Sequence, residues 1–193
     1  MQNICVFCGS SKGKKEIYLT QAKKLGAALA TQGKTLVYGG GNVGLMGAIA
    51  DEVMTGGGKA IGVIPEFLMS KEVGHSGLTD LIVVDSMHTR KRKMAELADA
   101  FIAMPGGFGT LEELAEILTW VQIEIIKKPI ALLNIDGYYD LLLKQMDHMV
   151  EEGFLKAQNR SLLLNITDAD QILHALESFE FSDYSVWSDL DKT

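Results

Sequence analysis

Cysteine is almost missing from this sequence. The 193 residues contain two, Cys5 and Cys8. Their C-x-x-C spacing invites a redox reading, but a redox pair belongs at a helix N-terminus. Cys5 and Cys8 lie in a strand-like run, where residues three apart point to opposite faces, so two buried, inert thiols are expected. No apolar run is long enough to span a membrane. Met1-Gln2-Asn3 leads straight into Ile4-Cys5-Val6-Phe7 with no signal peptide between, so the cytoplasm is the expected compartment. Positive charge is also scarce: 18 Lys and Arg stand against 25 Asp and Glu, a net charge of −7. Nucleic-acid binding draws on a basic surface, so neither nucleic acid nor a membrane is expected as a partner. There is no His/Cys/Asp set at metal-ligand spacing and no G-x-S-x-G nucleophile turn.

What the sequence does have is glycine in clusters. The organising stretch is Met104-Pro105-Gly106-Gly107-Phe108-Gly109-Thr110-Leu111-Glu112-Glu113. The apolar run Ala100 to Met104 before it is short enough to be a buried strand. Leu111, Leu114, Ala115, Leu118 and Val121 after it recur at helical spacing. The stretch is therefore a strand-to-helix turn, and three glycines in four positions let a ligand approach the main chain closely. The free N–H groups opening the helix favour an anion such as phosphate. Glu113 sits one turn into the helix, beside such a ligand. Thr110-x-x-Glu113 is also a capping box; the spacing alone leaves capping and catalysis both open, and the two are compatible.

The rest of the chain alternates. Strands are expected at 3–8, 35–38, 60–64, 81–84, 100–104, 129–133 and 162–166, and helices at 16–32, from the Gly39 turn to about 55, 86–97, 110–126, 138–151 and 168–176. Gly33, Gly56 and Gly153 stop helices, and Thr167-Asp168 caps the last one. Residues 66–79 read as an irregular segment placed to form a loop over the site. This order predicts a single doubly wound, Rossmann-like α/β domain, a mostly parallel sheet with helices on both faces. It spans residues 1–180, with 181–193 an acidic C-terminal tail. In such sheets ligands sit beyond the carboxyl ends of the strands. Three Gly/Ser-rich turns follow strands and gather there: Gly9-Ser10-Ser11, Gly39 to Gly47 and Pro105 to Gly109. Gly9, Ser10, Gly40, Gly41 and Gly44 are accordingly candidate ligand contacts.

Gly39-x-Gly41-x-x-Gly44 matches the dinucleotide fingerprint, with Glu66 placed downstream for a ribose hydroxyl. The match follows the second strand and not the first, and there is no second domain to hold a hydride acceptor, which leaves phosphate binding rather than oxidoreduction. Met87-His88-Thr89-Arg90-Lys91 opens the helix after the fourth strand. Arg90 has the planar fork that suits phosphate or a purine edge, although the spacing alone favours a surface arginine. His88 reads as structural, and Arg90-Lys91-Arg92-Lys93 either as a solvated face or as a collector of a phosphorylated small molecule.

Pro105-Gly106-Gly107-x-Gly109-Thr110-x-x-Glu113, preceded by Met87-His88-x-Arg90-Lys91, closely resembles the Lonely Guy family of cytokinin riboside 5'-monophosphate phosphoribohydrolases. The resemblance runs from Cys8-Gly9-Ser10-Ser11 to Pro129. It marks Arg90 and Glu113 as the catalytic pair. It marks Glu72, Arg90 and Lys91 as nucleotide contacts, together with Gly106, Gly107, Phe108, Gly109, Thr110, Leu111, Glu112 and Thr119. Phe108 stands where many members have tyrosine, which removes one hydroxyl and keeps the turn. The family forms dimers or larger assemblies, with the helix after the glycine motif near the interface, so a homodimer is expected. Some members carry an older label, lysine decarboxylase; no lysine here stands out as a Schiff-base anchor for pyridoxal phosphate.

The implied reaction is hydrolysis of the N-glycosidic bond of a nucleoside 5'-monophosphate, prenylated at N6 or plain, to free base and ribose 5-phosphate. The bond breaks with positive charge building on the sugar, as in glycoside hydrolysis. A carboxylate near the anomeric carbon stabilises that charge and activates water. The helix start favours an ionised Glu113. No metal or organic cofactor is required. Two non-catalytic alternatives share the glycine turns without needing the Arg90/Glu113 pair: a carrier of molybdenum cofactor or nucleotide, and a phosphate-sensing regulator.

Overall fold

The computed structural model describes residues 1–69 and 74–181. Seven strands form one sheet in which every neighbour is parallel. They are β1 (Asn3–Phe7), β2 (Thr35–Tyr38), β3 (Lys59–Pro65), β4 (Asp80–Val84), β5 (Ala100–Ala103), β6 (Ile130–Leu133) and β7 (Leu163–Ile166), in the spatial order β4-β3-β2-β1-β5-β6-β7. The helices are α1 (Glu16–Thr31), α2 (Gly44–Thr55), α3 (Met87–Leu97), α4 (Phe108–Gln122), α5 (Asp140–Glu151), the single-turn α6 (Ala157–Arg160) and α7 (Ala169–Glu177).

The central strands are apolar on both faces because helices cover both. Ile4 and Val6 of β1, and Cys8 just after it, enter the core shared with α1, α2 and α7. Cys5 and Phe7 enter the opposite core, with Met94 of α3, Leu114 and Ile117 of α4 and Leu143 of α5. The two cysteines thus face away from each other, free and buried. Burial pushes both thiols well above the usual range, and the Glu113 carboxylate adds to the rise at each, as expected of inert thiols.

The chain winds outward from β1 to β4, then returns to place β5 on the other side of β1. The crevice at such a reversal, beyond the carboxyl ends of the strands, is where open α/β sheets take ligands. Here it lies between the β1 and β5 turns, tied by Gly9 N–H donating to Pro105 O (3.0 Å).

The expected boundaries need four adjustments. The helix after the glycine motif starts at Phe108, with Gly107 as its N-cap and no side-chain cap. The capping box at Thr110 and Glu113 is therefore not formed: both lie inside the helix, where the cap N–H groups are behind them. That helix also ends at Gln122, four residues early. The irregular 66–79 segment opens with a 3-10 turn over Glu66–Leu68, and α6 has no apolar periodicity to announce it. Asp168 does cap α7, accepting from Asp170 N–H (3.2 Å). Of the acidic tail, only residue 181 falls within the described residues. Phe181 stacks edge-on with Phe179 and lies under the Lys127 ammonium.

Candidate active site

At the reversal, the turns after β1, β2 and β5 and the first turns of α3 and α4 enclose a cleft of about 320 Å³. Its floor is Val6, Phe7 and Cys8. Gly9, Ser10 and Gly39, then Gly107, Phe108, Gly109 and Thr110, continue the lining, together with Arg90, Glu112 and Glu113.

Arg90 is 4% exposed. Ser86 caps α3 by accepting from Thr89 N–H (3.2 Å), which sets the helix start and delivers Arg90 one turn later. Its Nε donates to Val63 O (3.0 Å) and its Nη2 to Gly39 O (2.7 Å). Position 39 has to be glycine for this, because a Cβ there would lie 2.1 Å from Nη2. The expected solvated basic face therefore splits. Arg90 and Lys91 are buried, whereas Arg92 is exposed and pairs with Glu96 (3.1 Å). His88 is exposed on the outer side of α3 with Thr89, Arg92 and Glu96, away from the cleft.

Lys91 donates to Glu112 and to Glu116 (3.2 Å), joining α3 to α4. Burial would lower its pKa, but the bonds to the two carboxylates outweigh this and hold it above the ordinary lysine value. A Schiff-base lysine needs the opposite shift. Lys91 thus borders the cleft through Glu112 rather than lining it.

The turn after β5 has its carbonyl groups taken one after another. Met104 O accepts from Tyr139 OH (2.6 Å), Pro105 O from Gly9 N–H (3.0 Å), Gly106 O from Tyr138 OH (2.5 Å) and Gly107 O from Leu111 N–H (3.1 Å). A Cβ at Gly107 or Gly109 would meet nothing within 4 Å, whereas one at Gly106 would strike Thr110 Oγ1 at 2.1 Å.

The cleft thus assembles Gly9, Ser10, Arg90, Gly107, Phe108, Gly109, Thr110, Glu112 and Glu113 of the sequence candidates. Others lie elsewhere. Gly106 lines a neighbouring cavity with Tyr18 and Tyr138. Leu111 packs into the core on the α3–α5 side. Thr119 is on the exposed face of α4, its hydroxyl donating to Ala115 O (2.8 Å). Gly40 and Gly41 are held by the segment after β3, through His75 N–H to Gly40 O (3.0 Å) and a bridge between Gly41 and Gly74. Gly44 packs against Ser10 with φ +63°. Glu66, the ribose partner in the dinucleotide reading, is exposed at the start of the 3-10 turn. Glu72 lies outside the described residues. Among the described residues, no three His, Cys, Asp or Glu converge as a metal site, and no helix is long and apolar enough to cross a membrane.

Sequence reasoning missed Tyr138 and Tyr139, which brace the glycine turn from beyond β6. Their only signal was a Gly-Tyr-Tyr tripeptide between a strand and the helix that follows it.

Comparison with known proteins gives the same picture. A family profile described as "possible lysine decarboxylase" matches residues 46–176. A probable cytokinin riboside 5'-monophosphate phosphoribohydrolase of Oryza sativa subsp. japonica is 48% identical over 178 residues, covering 92% of this chain and 78% of the relative. A cytokinin riboside 5'-monophosphate phosphoribohydrolase of Arabidopsis thaliana is 45% identical over 196 residues, 99% and 90% of the two chains. Among solved structures, the molybdenum cofactor carrier protein of Chlamydomonas reinhardtii superposes with a TM-score of 0.69 at 23% identity, over 91% of this chain and 96% of that one. That likeness concerns the fold alone. The extent and identity of the sequence matches show that this chain belongs to the Lonely Guy family, whose named members are cytokinin riboside 5'-monophosphate phosphoribohydrolases.

Proposed function

We propose that this protein hydrolyses the N-glycosidic bond of adenosine 5'-monophosphates, N6-modified ones included, releasing the free base and ribose 5-phosphate. The observation that carries this reading is one cleft holding a carboxylate, a buried guanidinium and an uncovered glycine turn. The names of the relatives support the same reaction.

In this mechanism the N–H groups of the turn at Gly107 to Gly109 receive the 5'-phosphate. The C1'–N bond breaks and leaves its electron pair on the base. The sugar develops oxocarbenium character, which the Glu113 carboxylate stabilises. Glu113 takes a proton from the attacking water as the water oxygen bonds to C1'; that proton is returned through solvent to the nitrogen that received the electron pair, so the base leaves neutral and the Glu113 carboxylate is regenerated. Arg90, fixed by Gly39 O and Val63 O, orients the nucleotide. Glu112, held by Lys91, flanks the carboxylate, and Glu72 completes the nucleotide contacts. The reaction so written needs neither metal nor organic cofactor.

We further take the protein to be a cytoplasmic homodimer, one domain over residues 1–180 with a tail beyond. Phe108, 92% exposed at the cleft mouth, and the exposed Thr119 give α4 an uncovered face beside the site, which supports a second chain there.

The test is Glu113→Gln assayed by chromatography for free base from AMP and isopentenyladenosine monophosphate. Turnover should fall by at least about 10²-fold, the scale of one positioned acid–base group, while nucleotide binding persists. Unchanged release of base would remove Glu113 from the mechanism. A carrier would bind its ligand and release no base in the wild-type assay.

A further inference from the structure

The four carbonyl groups in the turn after β5 are not held by equivalent partners. Gly9 N–H and Leu111 N–H come from the backbone that builds the crevice itself. Tyr138 and Tyr139 come from the segment after β6, a 3-10 turn over Ile135–Gly137. That segment is fixed by Asn134, which is 2% exposed. Asn134 N–H donates to Ile166 O (2.7 Å), its Nδ2 donates to Asp140 Oδ1 (2.8 Å), and its Oδ1 accepts from Tyr139 N–H (2.7 Å). The two rings then meet edge-on, with centroids 5.0 Å apart and planes at 87°. Tyr18 of α1 packs edge-on against the other side of Tyr138 at 5.9 Å. Both hydroxyls are therefore carried on a braced support.

The peptide unit is planar and trans, so each carbonyl and the following N–H point in opposite directions. Whatever captures a carbonyl also aims the next N–H. Tyr139 holds Met104 O, but the following residue is Pro105, which has no N–H; this bond aims nothing. Tyr138 holds Gly106 O on the side of the neighbouring cavity, and the N–H it aims belongs to Gly107. Gly107 lines both cavities, so the cleft that holds Glu113 is the cavity available to an N–H turned away from Tyr138. Tyr138 is also half-exposed, so its hydroxyl is not required to satisfy a sealed core, whereas Tyr139 is 2% exposed.

We propose that Tyr138 is a positioning residue for phosphate. Its hydroxyl captures the Gly106 carbonyl and so aims the Gly107 N–H at the 5'-phosphate, whereas its neighbour Tyr139 serves only the rigidity of the turn. This rests on the reading that the glycine turn receives that phosphate. The two tyrosines, adjacent in sequence and similar in bonding, should therefore separate in experiment. Replacing Tyr138 by Phe keeps the ring and its contacts with Tyr18 and Tyr139 and removes only the hydroxyl. A peptide no longer held should lose about tenfold in affinity for the phosphate, the scale of one hydrogen bond to a charged group.

The experiment measures binding of ribose 5-phosphate and of adenosine to wild type, Tyr138→Phe and Tyr139→Phe, with melting temperatures alongside. The expected result is ribose 5-phosphate binding weakened about tenfold in Tyr138→Phe, adenosine binding unchanged and little change in melting temperature. Tyr139→Phe should show the reverse, a lower melting temperature with both affinities near wild type. Equal losses for both ligands in Tyr138→Phe, or none for ribose 5-phosphate, would overturn the assignment while leaving the phosphate site standing. If a Gly107→Ala variant measured alongside bound ribose 5-phosphate as tightly as wild type, the phosphate reading itself would fail, and the proposal with it.

Discussion

The turns after β2 and β5 look alike in sequence and differ in what their glycines are for. In the β2 turn the protein itself occupies the space a side chain would need. A Cβ at Gly39 would sit 2.1 Å from Arg90 Nη2, at Gly44 2.2 Å from the Ser10 carbonyl carbon, and at Gly47 2.7 Å from Asn42 backbone. In the β5 turn Gly106 is crowded in the same way, by Thr110 Oγ1 at 2.1 Å, but Gly107 and Gly109 have nothing within 4 Å of that position. A glycine crowded by its own protein is a packing device. A glycine beside a cleft with empty space around it leaves room for something that comes from outside. The difference also demotes the dinucleotide fingerprint: Gly39-x-Gly41-x-x-Gly44 is present, but its loop is filled by Arg90, Ser10 and the Gly74-His75 segment.

The sharpest way to break this comparison is to place the same methyl in each turn. Gly39→Ala should have the largest effect. The methyl displaces the guanidinium from Gly39 O, and Arg90 loses its alignment. Overpacking of this kind costs about 1–3 kcal/mol, and a catalytic group moved by about 1 Å costs about 10²-fold in rate. Both kcat and melting temperature should fall together. Normal activity in a folded Gly39→Ala protein would show that Arg90 does not need its seat.

Gly107→Ala should behave differently. Gly107 has φ −96° and ψ −153°, extended backbone open to alanine, and its methyl meets no protein atom. The melting temperature should hold within a few degrees, the shift that about 1 kcal/mol produces in a domain of this size. Affinity for ribose 5-phosphate should drop by about tenfold, because the methyl stands where the ligand approaches. A loss of stability without a loss of affinity would reverse the roles assigned to the two turns.

Much of this was legible in the sequence, for physical reasons. The alternation of short apolar runs with helical periodicity dictates a parallel sheet, and the glycine turns dictate its functional edge, because both signals are local. The Pro105 to Glu113 stretch and Arg90 carry the resemblance that names the chemistry. What could not be read was long-range. The seat of Arg90 is made by carbonyls of residues 39 and 63, and no local pattern links them to position 90. Lys91 reads as a ligand cation, but Glu112 and Glu116 on another helix claim it. Thr110 and Glu113 match a capping box, but Gly107 had already started the helix. Tyr138 reaches Gly106 across 32 positions.

The third turn, after β1, sits between the other two and joins them. Gly9 N–H donates to Pro105 O and Gly9 O accepts from Leu45 N–H, each at 3.0 Å. The turn thus spaces the packed loop from the open one through backbone alone. Cys8, just before it, lines the cleft floor yet makes no part of the proposed chemistry. Burial raises its thiol far above the usual range and the Glu113 carboxylate raises it further, so the thiol is neutral throughout the physiological range. Alkylation requires the thiolate, so iodoacetamide at pH 8 should leave activity intact, and Cys8→Ala should change kcat by no more than about twofold, since it removes one small group without leaving a charge or a donor unpaired. Rapid inactivation by iodoacetamide at pH 8, prevented by Cys8→Ala, would mean that the floor of the cleft carries an activated thiol. The mechanism would then have to be rebuilt around the β1 turn instead of the β5 turn.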